Sequence, residues 1–535
     1  MRIRGTLTGW IIFIVLALTF QNCGRLAAFD FGSGQEPLTV KDLAVQTEWE
    51  KIRSNFESYI RTAPTPTSAY PLYNVQLSTA PLLQYAVEKT AVDLLGDLRD
   101  LYLLGADHLK TLSTIALYSP AFFDGDGNYT TSYIADVHLD RPFRIWADDR
   151  PPSGGSSAPG ESVLVSAQFL YPVSVVIWDA ARRNALSDPK TAHFVDVYWN
   201  VIVKDHLLRW IFNEGTLNHP GSSKTAGGLS NPPGFGTFSL RGWGCNDGDF
   251  NHSERVSHLR NRRFGTSYFL PLYPGSSASD RGYCNSVHDT DLWILGITAH
   301  VLAANRLAPS RLPLSASDFT RLRNHLLAGL DLVQNRIQYQ TATDFQGAPV
   351  ETAQWELGGF DGHPDYDYSA DKNPVFPGYA VEGGSAARAP NPAINVGWDV
   401  SHARRLVAFF WTVETLNAPL ALNFPIQRVM RGMANQVAYV TFNKNLSSPN
   451  FSNFLDGTDG WYRVNYSGRV NFGYPPGNWS LGGGSILSGG YGFWAKYNPD
   501  IGKIIDSAAR RYPFSDALSW SRIEAFPSYP LSYFE

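Results

Sequence analysis

The chain has 535 residues and a net charge of −4, and charged residues make up 17% of it. This balance lacks both the basic surplus of a nucleic-acid-binding protein and a polybasic membrane patch, so we expect no nucleic-acid partner. Aromatic residues reach 13%, with 15 Trp and 26 Tyr. Such usage is common in exported proteins that stack on sugars, although the same rings also fill the core of any large domain.

The N-terminus has the pattern of an export signal. Arg2 and Arg4 precede an almost purely apolar run at 10–20, which is too short to span a bilayer permanently, and Cys23 follows. This arrangement resembles the signal of bacterial lipoproteins, in which the cysteine is acylated and becomes the first mature residue. The resemblance implies a signal peptide at 1–22 and a lipid on Cys23 that holds the protein on a membrane. We expect a location in the bacterial cell envelope, with the outer membrane favoured over the inner, in the periplasm or at the cell surface. An ordinary secretory signal is the alternative.

Residues 23–68 are polar and punctuated by proline, which predicts a lipid anchor and tether with a short helix around 40–61. The other two cysteines, Cys245 and Cys284, form an even pair. In an oxidising compartment such a pair predicts a disulfide. A zinc site is the alternative, but two cysteines without CxxC spacing support it poorly.

Long amphipathic segments follow the tether and predict helix–helix packing. At 95–109, for example, leucines recur at helical spacing. The predicted helices lie at 80–118, 164–186, 192–212, 289–305, 317–339, 398–416 and 425–442. They tend to come in pairs, and long loops rich in Gly, Pro, Asp, Tyr and Trp connect the pairs.

This organisation resembles the α/α toroid, in which paired helices form two concentric rings and loops at one end build a cleft. The resemblance implies a mainly α fold with one toroid-like domain at 69–535. Many carbohydrate-active enzymes use this fold, so it also implies an enzyme acting on polysaccharide or peptidoglycan, by hydrolysis or by β-elimination. Because fold analogy alone does not establish function, a non-catalytic surface lipoprotein that binds glycan or peptidoglycan is the alternative.

The densest polar constellation lies at 355–368, where four acidic side chains, one imidazole and four aromatic rings fall together. Carboxylates brought close together raise one pKa, which gives the acid and base that glycoside hydrolysis requires. We predict Glu356 and Asp361 as catalytic carboxylates, and Trp355 and Tyr366 as sugar-binding rings. The alternation of acidic residues also suits Ca²⁺, so a calcium-binding or purely structural loop stays open. No other cofactor is predicted.

A second candidate site begins at Asp399. Gly397 followed by Asp399 predicts a helix start with Asp399 as the capping residue. On that helix Asp399, His402 and Arg405 share one face. A His oriented by a carboxylate is a general acid or base, and an Arg beside it neutralises a uronic carboxylate. We predict Asp399 and His402 as catalytic and Arg405 and Trp398 as substrate-binding; a capping Asp with a buried, hydrogen-bonded His is the alternative.

Asn251 and His252 form a third candidate at a predicted helix start. The pair resembles the Asn–His pairs of toroidal polysaccharide lyases, which implies that Asn251 contacts a uronate and that His252 accepts a proton. Trp461 is predicted as a further sugar platform. A metal-dependent hydrolase built on His252, His288 and Asp291 is the alternative, but no protein metal ligand is predicted.

The sequence lacks the motifs of several common chemistries. It contains no GxSxG nucleophile elbow, no GxxxxGK[ST] phosphate loop and no HExxH helix. It gives no indication of oligomeric state.

Overall fold

The computed structural model describes residues 40–62, 70–123, 129–148, 158–217, 251–261, 286–361, 363–377, 388–465 and 472–511. The chain divides into two compact units, Met1–Thr47 and Glu48–Glu535, and the second carries the candidate sites. The predicted signal peptide, Cys23 and the predicted disulfide partners Cys245 and Cys284 lie outside the described residues.

Helices make up most of the described chain, and several begin where the sequence supplies a cap. Asp188 accepts a hydrogen bond from Thr191 N at the start of the helix Pro189–Asn200, and Ser315 accepts one from Asp318 N at the start of the helix Ala316–Asn335. In chain order the α-helices are α1 (Val40–Thr62), α2 (Tyr70–Glu88), α3 (Val92–Leu103), α4 (Val163–Arg182), α5 (Pro189–Asn200), α6 (Leu208–Phe212), α7 (His252–Asn261), α8 (Asp289–Leu307), α9 (Ala316–Asn335), α10 (Val400–Leu420), α11 (Ile426–Gln436), α12 (Gly482–Ser488) and α13 (Asp500–Arg511). The helix predicted around 40–61 is confirmed as α1.

Two sheets accompany the helices. The larger has four strands in the order β2-β1-β4-β3, and the smaller is a hairpin of two strands. The strands are β1 (Lys110–Phe123), β2 (Tyr129–Ile145), β3 (Ala147–Asp148), β4 (Gly160–Glu161), β5 (Ile337–Thr343) and β6 (Pro349–Trp355). The β1–β2 and β5–β6 pairs are antiparallel, and β6 ends at Trp355, directly before Glu356.

The strands correct the fold predicted from the sequence. The helix predicted at 80–118 is divided between α2, which ends at Glu88, and α3, which ends at Leu103, and the chain is strand from Lys110 onward. Ile115 of β1 is buried in an apolar cluster with Val137, Phe143 and Ile145 of β2. This burial comes from pairing with a distant segment, which outweighs the local helical pattern of the leucines. The prediction of a mainly α, α/α-toroid fold is therefore wrong, because the protein is mixed α/β with a helical majority.

Four helices of the described chain, α2, α4, α8 and α10, pack with their N-termini at the same end. Near that end, Gln168 Nε2 of α4 donates to the Tyr73 carbonyl of α2 at 3.0 Å, and Trp293 Nε1 of α8 donates to Gln168 Oε1 at 3.2 Å. Midway along, Tyr171 of α4 and Thr412 of α10 share a hydrogen bond of 2.7 Å between their hydroxyl groups. We call these helices the four-helix group.

Helix α4 is the most apolar member of the four-helix group. It has 20 residues and is long and apolar enough to cross a membrane, but 94% of its most apolar window is buried inside the protein. Burial of this kind is what a core helix shows, so α4 is a core element of the fold.

Candidate functional site

The start of α10 is built by Asp399, as the sequence predicts. Its Oδ1 accepts hydrogen bonds from Ser401 N and His402 N, each at 3.1 Å, and from the Ser401 hydroxyl. The carboxylate thereby satisfies amide groups that have no partner within the helix. Two residues earlier, Gly397 lets the backbone lie close to Asp456, because a Cβ at position 397 would be 3.0 Å from Asp456 N. Asp399 is therefore fixed by the backbone that it caps.

The second oxygen of Asp399 orients His402. His402 Nδ1 lies 2.7 Å from Asp399 Oδ2, and the Tyr462 hydroxyl lies 3.2 Å from the same ring nitrogen. The Asp399 side chain is 1% exposed, whereas the His402 side chain is 27% exposed. A carboxylate partner places the proton on Nδ1 and leaves Nε2 as the basic nitrogen. His402 is thus a partly exposed imidazole with a buried, fixed carboxylate behind it.

Charges around Asp399 keep it ionised. Burial on its own raises the pKa of Asp399, but His402, Arg463 and the Ser401 hydroxyl outweigh that effect and hold the pKa well below its usual value. The Tyr366 hydroxyl also contacts this carboxylate, 3.3 Å from Oδ2. The anion behind His402 therefore persists throughout the ordinary pH range.

The two tyrosines at this position, Tyr366 and Tyr462, are protonated. Burial is the largest influence on both Tyr366 and Tyr462, and together with the nearby Asp399 carboxylate it raises each pKa well above 10.0. Both rings belong to one buried apolar cluster with Val400 and Phe454, and the Tyr462 hydroxyl of this cluster reaches His402. The exposed edge of the site is the imidazole itself.

Arg463 supplies a cation beside the dyad of Asp399 and His402. Its Nε donates to Asp365 Oδ2 at 2.9 Å and its backbone N donates to the Asp365 carbonyl at 2.9 Å. The Arg463 side chain is 23% exposed, and its φ of 55° is in the left-handed region. Non-glycine residues held in that region cluster at functional sites.

His363 lies close to this cation and is neutral. Burial lowers the pKa of His363 to about 4, and the nearby Arg463 guanidinium adds to the effect, whereas Asp365 acts in the opposite direction. Its Nδ1 accepts a hydrogen bond from Asp365 N at 3.0 Å. His363 therefore shapes the loop that positions Asp365 and carries no charge there.

Arg405 lies behind the dyad and links three helix starts. Its Nη1 donates to the Ser401 carbonyl at 2.7 Å, its Nη2 donates to the Tyr73 hydroxyl, and its Nε lies 3.5 Å from Asp289 Oδ2. The side chain is only 3% exposed. Arg405 therefore holds α2, α8 and α10 in register, and in this structure its guanidinium faces protein groups.

The third sequence candidate, His252, lies in a separate buried network at the start of α8. Its Nε2 is 3.0 Å from Asp291 Oδ1 and its Nδ1 is 2.9 Å from His325 Nε2. Arg255 Nε donates to Asp291 Oδ1 at 3.0 Å, and Asp291 Oδ2 caps α8 by accepting from His288 N at 2.7 Å. His252 is completely buried. The network joins α7, α8 and α9 in the interior.

Titration within this network follows from burial and from Arg255. Burial on its own raises the pKa of Asp291, but Arg255 and His252 outweigh it and hold the pKa well below the usual value. Burial lowers the pKa of His325 well below 6.5, and the adjacent His252 adds to that shift. Asp291 is ionised and His325 is neutral, and Asp291 forms a buried ion pair with Arg255.

The acidic loop at 355–368 is divided between two locations. Tyr366 and Asp365 reach the dyad and Arg463, whereas Glu356 turns toward α8, where its Oε1 accepts from Val287 N at 2.7 Å. Asp361 lies between them, half-buried, and its Oδ2 accepts from Asn395 N at 3.0 Å. Burial raises the pKa of Asp361. The structure thus brings together one half of the loop and the dyad.

The tryptophans predicted as sugar platforms are interior residues. Trp355 and Trp398 are 1% exposed and Trp461 is 3% exposed. Trp355 and Trp398 pack edge to face with centroids 5.8 Å apart, and Trp461 contacts Phe376 at 4.7 Å. Their faces are covered by other side chains, so we do not propose them as platforms.

Asn251 also has a structural position. It is buried, and its side chain accepts a hydrogen bond from Glu254 N at 2.9 Å, which caps the first turn of α7. Sequence reasoning selected neither Tyr462 nor Arg463, although both adjoin the selected Trp461. The sequence feature that could have pointed to both residues is the Asp- and Gly-rich turn that precedes them, but such a turn by itself indicates only a loop.

Within the described ranges, no group of three or more His, Cys, Asp or Glu side chains is arranged to hold a metal ion. Ca²⁺ binding by the acidic loop stays a prediction. Comparison of the chain with protein-family models, with curated proteins and with solved structures gives no significant match.

Proposed function

We propose that this protein cleaves an acidic polysaccharide by β-elimination, with His402 Nε2 as the base. The observation that carries the proposal is the dyad itself: a partly exposed imidazole whose Nδ1 is held 2.7 Å from a buried, ionised Asp399. A carboxylate that fixes the tautomer and stabilises the imidazolium is the usual support for a histidine base.

The low exposure of the carboxyl groups, compared with that of His402, favours elimination over hydrolysis. Hydrolysis of a glycosidic bond requires two carboxyl groups that flank the bond in an open cleft. Glu356 and Asp399 are each 1% exposed, and Asp361 is engaged with the backbone of Asn395. Elimination requires one base at the proton beside the uronic carboxylate, and His402 meets that requirement.

The electrostatics at this end of the molecule favour an anionic substrate. The N-termini of α2 and α4 lie at this end, and each carries roughly half a positive charge from the aligned peptide dipoles. Neither helix has an acidic residue in its first turn, whereas Asp291 and Asp399 offset the N-termini of α8 and α10. Arg463 adds a partly exposed guanidinium. A uronic carboxylate bound near Arg463 acidifies the adjacent C5 proton, because the cation stabilises the negative charge that develops when the proton leaves.

The proposed reaction proceeds in one balanced sequence. His402 Nε2 takes the C5 proton, a C4–C5 double bond forms as the C4–O bond breaks, and the leaving oxygen takes a proton from water. The hydroxide that remains takes the proton from the His402 imidazolium, which restores both the water and the neutral base. The products are a chain with an unsaturated uronate at its new end and a chain with a free hydroxyl. We further propose that the protein acts outside the cytoplasm, exported and lipid-anchored through Cys23, where such polysaccharides are encountered.

The test compares cleavage of uronic and neutral polysaccharides by the wild type and by H402Q. We expect ultraviolet absorbance from the unsaturated product with a uronic substrate only, and a loss of about a hundredfold or more in turnover for H402Q. H193Q is the matched control, because His193 is an exposed histidine of α5 and should leave turnover unchanged. Full activity of H402Q, new reducing ends without the absorbance, or binding without cleavage would each reject the proposal.

A further inference from the structure

A cavity of about 390 Å³ lies at the other end of the four-helix group from His402. Its volume falls within the range of roughly 300–1,000 Å³ that is usual for small-molecule sites. The walls come from the C-terminal parts of α2, α4, α8 and α10, and Thr415 of α10 lies about 20 Å along that helix from His402. The apolar lining consists of Val87, Trp178, Ala303, Leu307, Trp411 and Pro419.

Two guanidinium groups enter this apolar cavity. Arg306 is exposed; its Nη1 donates to the Pro419 carbonyl at 2.6 Å, and within the described ranges it has no carboxylate partner. Arg182 pairs with the buried Asp179 at 2.6 Å, but Asp179 is shared with Arg183, also at 2.6 Å. The guanidinium groups are therefore only partly neutralised by the protein.

Glu88, the one carboxyl group that the described part of the chain contributes to the lining, opposes this positive charge weakly. Lys496 Nζ lies 3.9 Å from Glu88 Oε1, and burial raises the pKa of Glu88. Lys496 is also paired with Glu414 at 2.8 Å. Among the described residues around the cavity, the cations outnumber the carboxylates by one: Arg182, Arg183, Arg306 and Lys496 against Asp179, Glu88 and Glu414.

The helix ends do not reverse this balance. A helix C-terminus carries roughly half a negative charge, and the effect falls off within the last turn. Arg182 and Arg306 lie in the last turns of α4 and α8 and offset those termini directly. The Pro419 carbonyl near the end of α10 is engaged by Arg306. The open part of the cavity is thus apolar with a cationic wall.

We propose that this cavity binds a small organic acid with a compact apolar body. The carboxylate faces Arg306, with Arg182 as a second cation, and the body lies against Trp178, Trp411 and Leu307. An apolar body gains from leaving water, and a charged hydrogen bond to a guanidinium fixes its orientation. The inference concerns a second site and does not depend on the function proposed for His402.

The test uses isothermal titration of the full chain with phenylacetate and with its neutral counterpart 2-phenylethanol. We expect saturable binding of phenylacetate and affinity at least about tenfold lower for the alcohol. R306Q should weaken phenylacetate binding by about 10- to 100-fold without lowering the melting temperature, because the Arg306 side chain is exposed. H402Q should bind phenylacetate like the wild type, which separates this site from the proposed catalytic one.

R260Q is the matched control. Arg260 is an exposed arginine of α7 that pairs with Asp331, and its replacement should leave phenylacetate affinity unchanged. Equal affinity for the acid and the alcohol, wild-type affinity in R306Q, an equal loss in R260Q, or the absence of saturable binding at millimolar phenylacetate would each overturn the proposal.

Discussion

Glu356 Oε1 accepts a hydrogen bond from Val287 N at 2.7 Å, and this contact joins the end of β6 to the segment that leads into α8. Its other oxygen, Oε2, is buried and has no hydrogen-bond partner among the described residues. Burial raises the pKa of Glu356 to about 8, although Arg336, 3.8 Å from Oε1, acts in the opposite direction. In the folded protein Glu356 is therefore mainly protonated at neutral pH.

This protonation gives the stability of the protein a defined pH dependence. The Glu356 carboxyl ionises near 4.5 in the unfolded chain and near 8 in the folded protein. Between these values the folded state holds a proton that the unfolded state has released, so the contribution of Glu356 to the free energy of unfolding falls as pH rises toward 8. E356Q keeps an acceptor for Val287 N and removes this titration. We expect E356Q to match the wild type near pH 5 and to be more stable by a few kcal/mol near pH 8.

Urea unfolding at several pH values between 5 and 8 measures this effect. E351Q is the control, because Glu351 is an exposed glutamate paired with Arg428 at 2.6 Å, and Arg428 lowers its pKa. That variant should leave the slope of stability against pH unchanged in this window. An identical slope in E356Q and the wild type would contradict a protonated Glu356.

Replacing Asp399 separates capping from the orientation of His402. Asn is as good a helix cap as Asp, so D399N should keep α10 and a melting temperature close to that of the wild type. It removes the negative charge and permits the other tautomer of His402, so we expect cleavage to fall by about a hundred- to ten-thousandfold. The pH profile of the residual activity should also shift, because the imidazolium loses its counterion. D399A should lose a further 1 kcal/mol, roughly, of unfolding free energy through the lost cap.

These quantities come from turnover assays across pH and from thermal unfolding of both variants. Wild-type turnover in a folded D399N would show that the carboxylate serves α10 alone. A loss of activity that merely follows the loss of stability in D399A would lead to the same conclusion.

The start of α10 was predictable because its information is local. Asp399 caps the amides of Ser401 and His402, and His402 lies one turn along the same helix, so spacing alone places them together. The contacts of Arg405, by contrast, could not be predicted from the local sequence. It shares the predicted face, but Tyr73 and Asp289 come from distant segments, and their packing turned a predicted substrate contact into a buried link.

The arrangement of the acidic loop at 355–368, unlike the start of α10, could not be predicted from the sequence. Its composition indicated that Glu356 and Tyr366 act together, but the two residues lie ten positions apart and face different neighbours, Val287 and Asp399 respectively. A left-handed φ of 45° at Glu356 directs its side chain toward Val287, and no periodicity encodes such a turn. The strand at Lys110 was missed for a related reason, because its pairing with β2 depends on tertiary contacts.

Removing Asp291 should destabilise the protein strongly. D291A leaves Arg255 buried without its carboxylate, and breaking one partner out of a buried ion pair costs about 3–5 kcal/mol. It also removes the cap on His288 N. Urea unfolding at neutral pH measures the change. D331A is the control, because it breaks the exposed pair with Arg260 and should cost less than about 1 kcal/mol. Equal losses of unfolding free energy in D291A and D331A would contradict the structural importance of the buried pair.

Gly460 sets the position of Tyr462 and Arg463, so it should affect activity from a distance. A Cβ at Gly460 would lie 1.8 Å from the Ser369 carbonyl oxygen, which is backbone and has no flexible end to move aside. G460A must therefore displace the segment that carries the Tyr462 hydroxyl and the Arg463 guanidinium. We expect turnover to fall by more than about tenfold and stability by roughly 1–3 kcal/mol, as overpacking usually costs.

Gly96 provides the matched control for this substitution. It lies within α3, where the nearest atom to an added Cβ is 3.9 Å away at the end of the Arg99 side chain. G96A should stabilise the protein by about 0.5–1 kcal/mol, because alanine restricts the unfolded chain and favours the helix, and it should leave turnover unchanged. The comparison requires only turnover and unfolding measurements on the two variants. Wild-type turnover in G460A would show that Tyr462 and Arg463 are not needed where the structure places them, and the assignment of Arg463 as the substrate's cation would then fail.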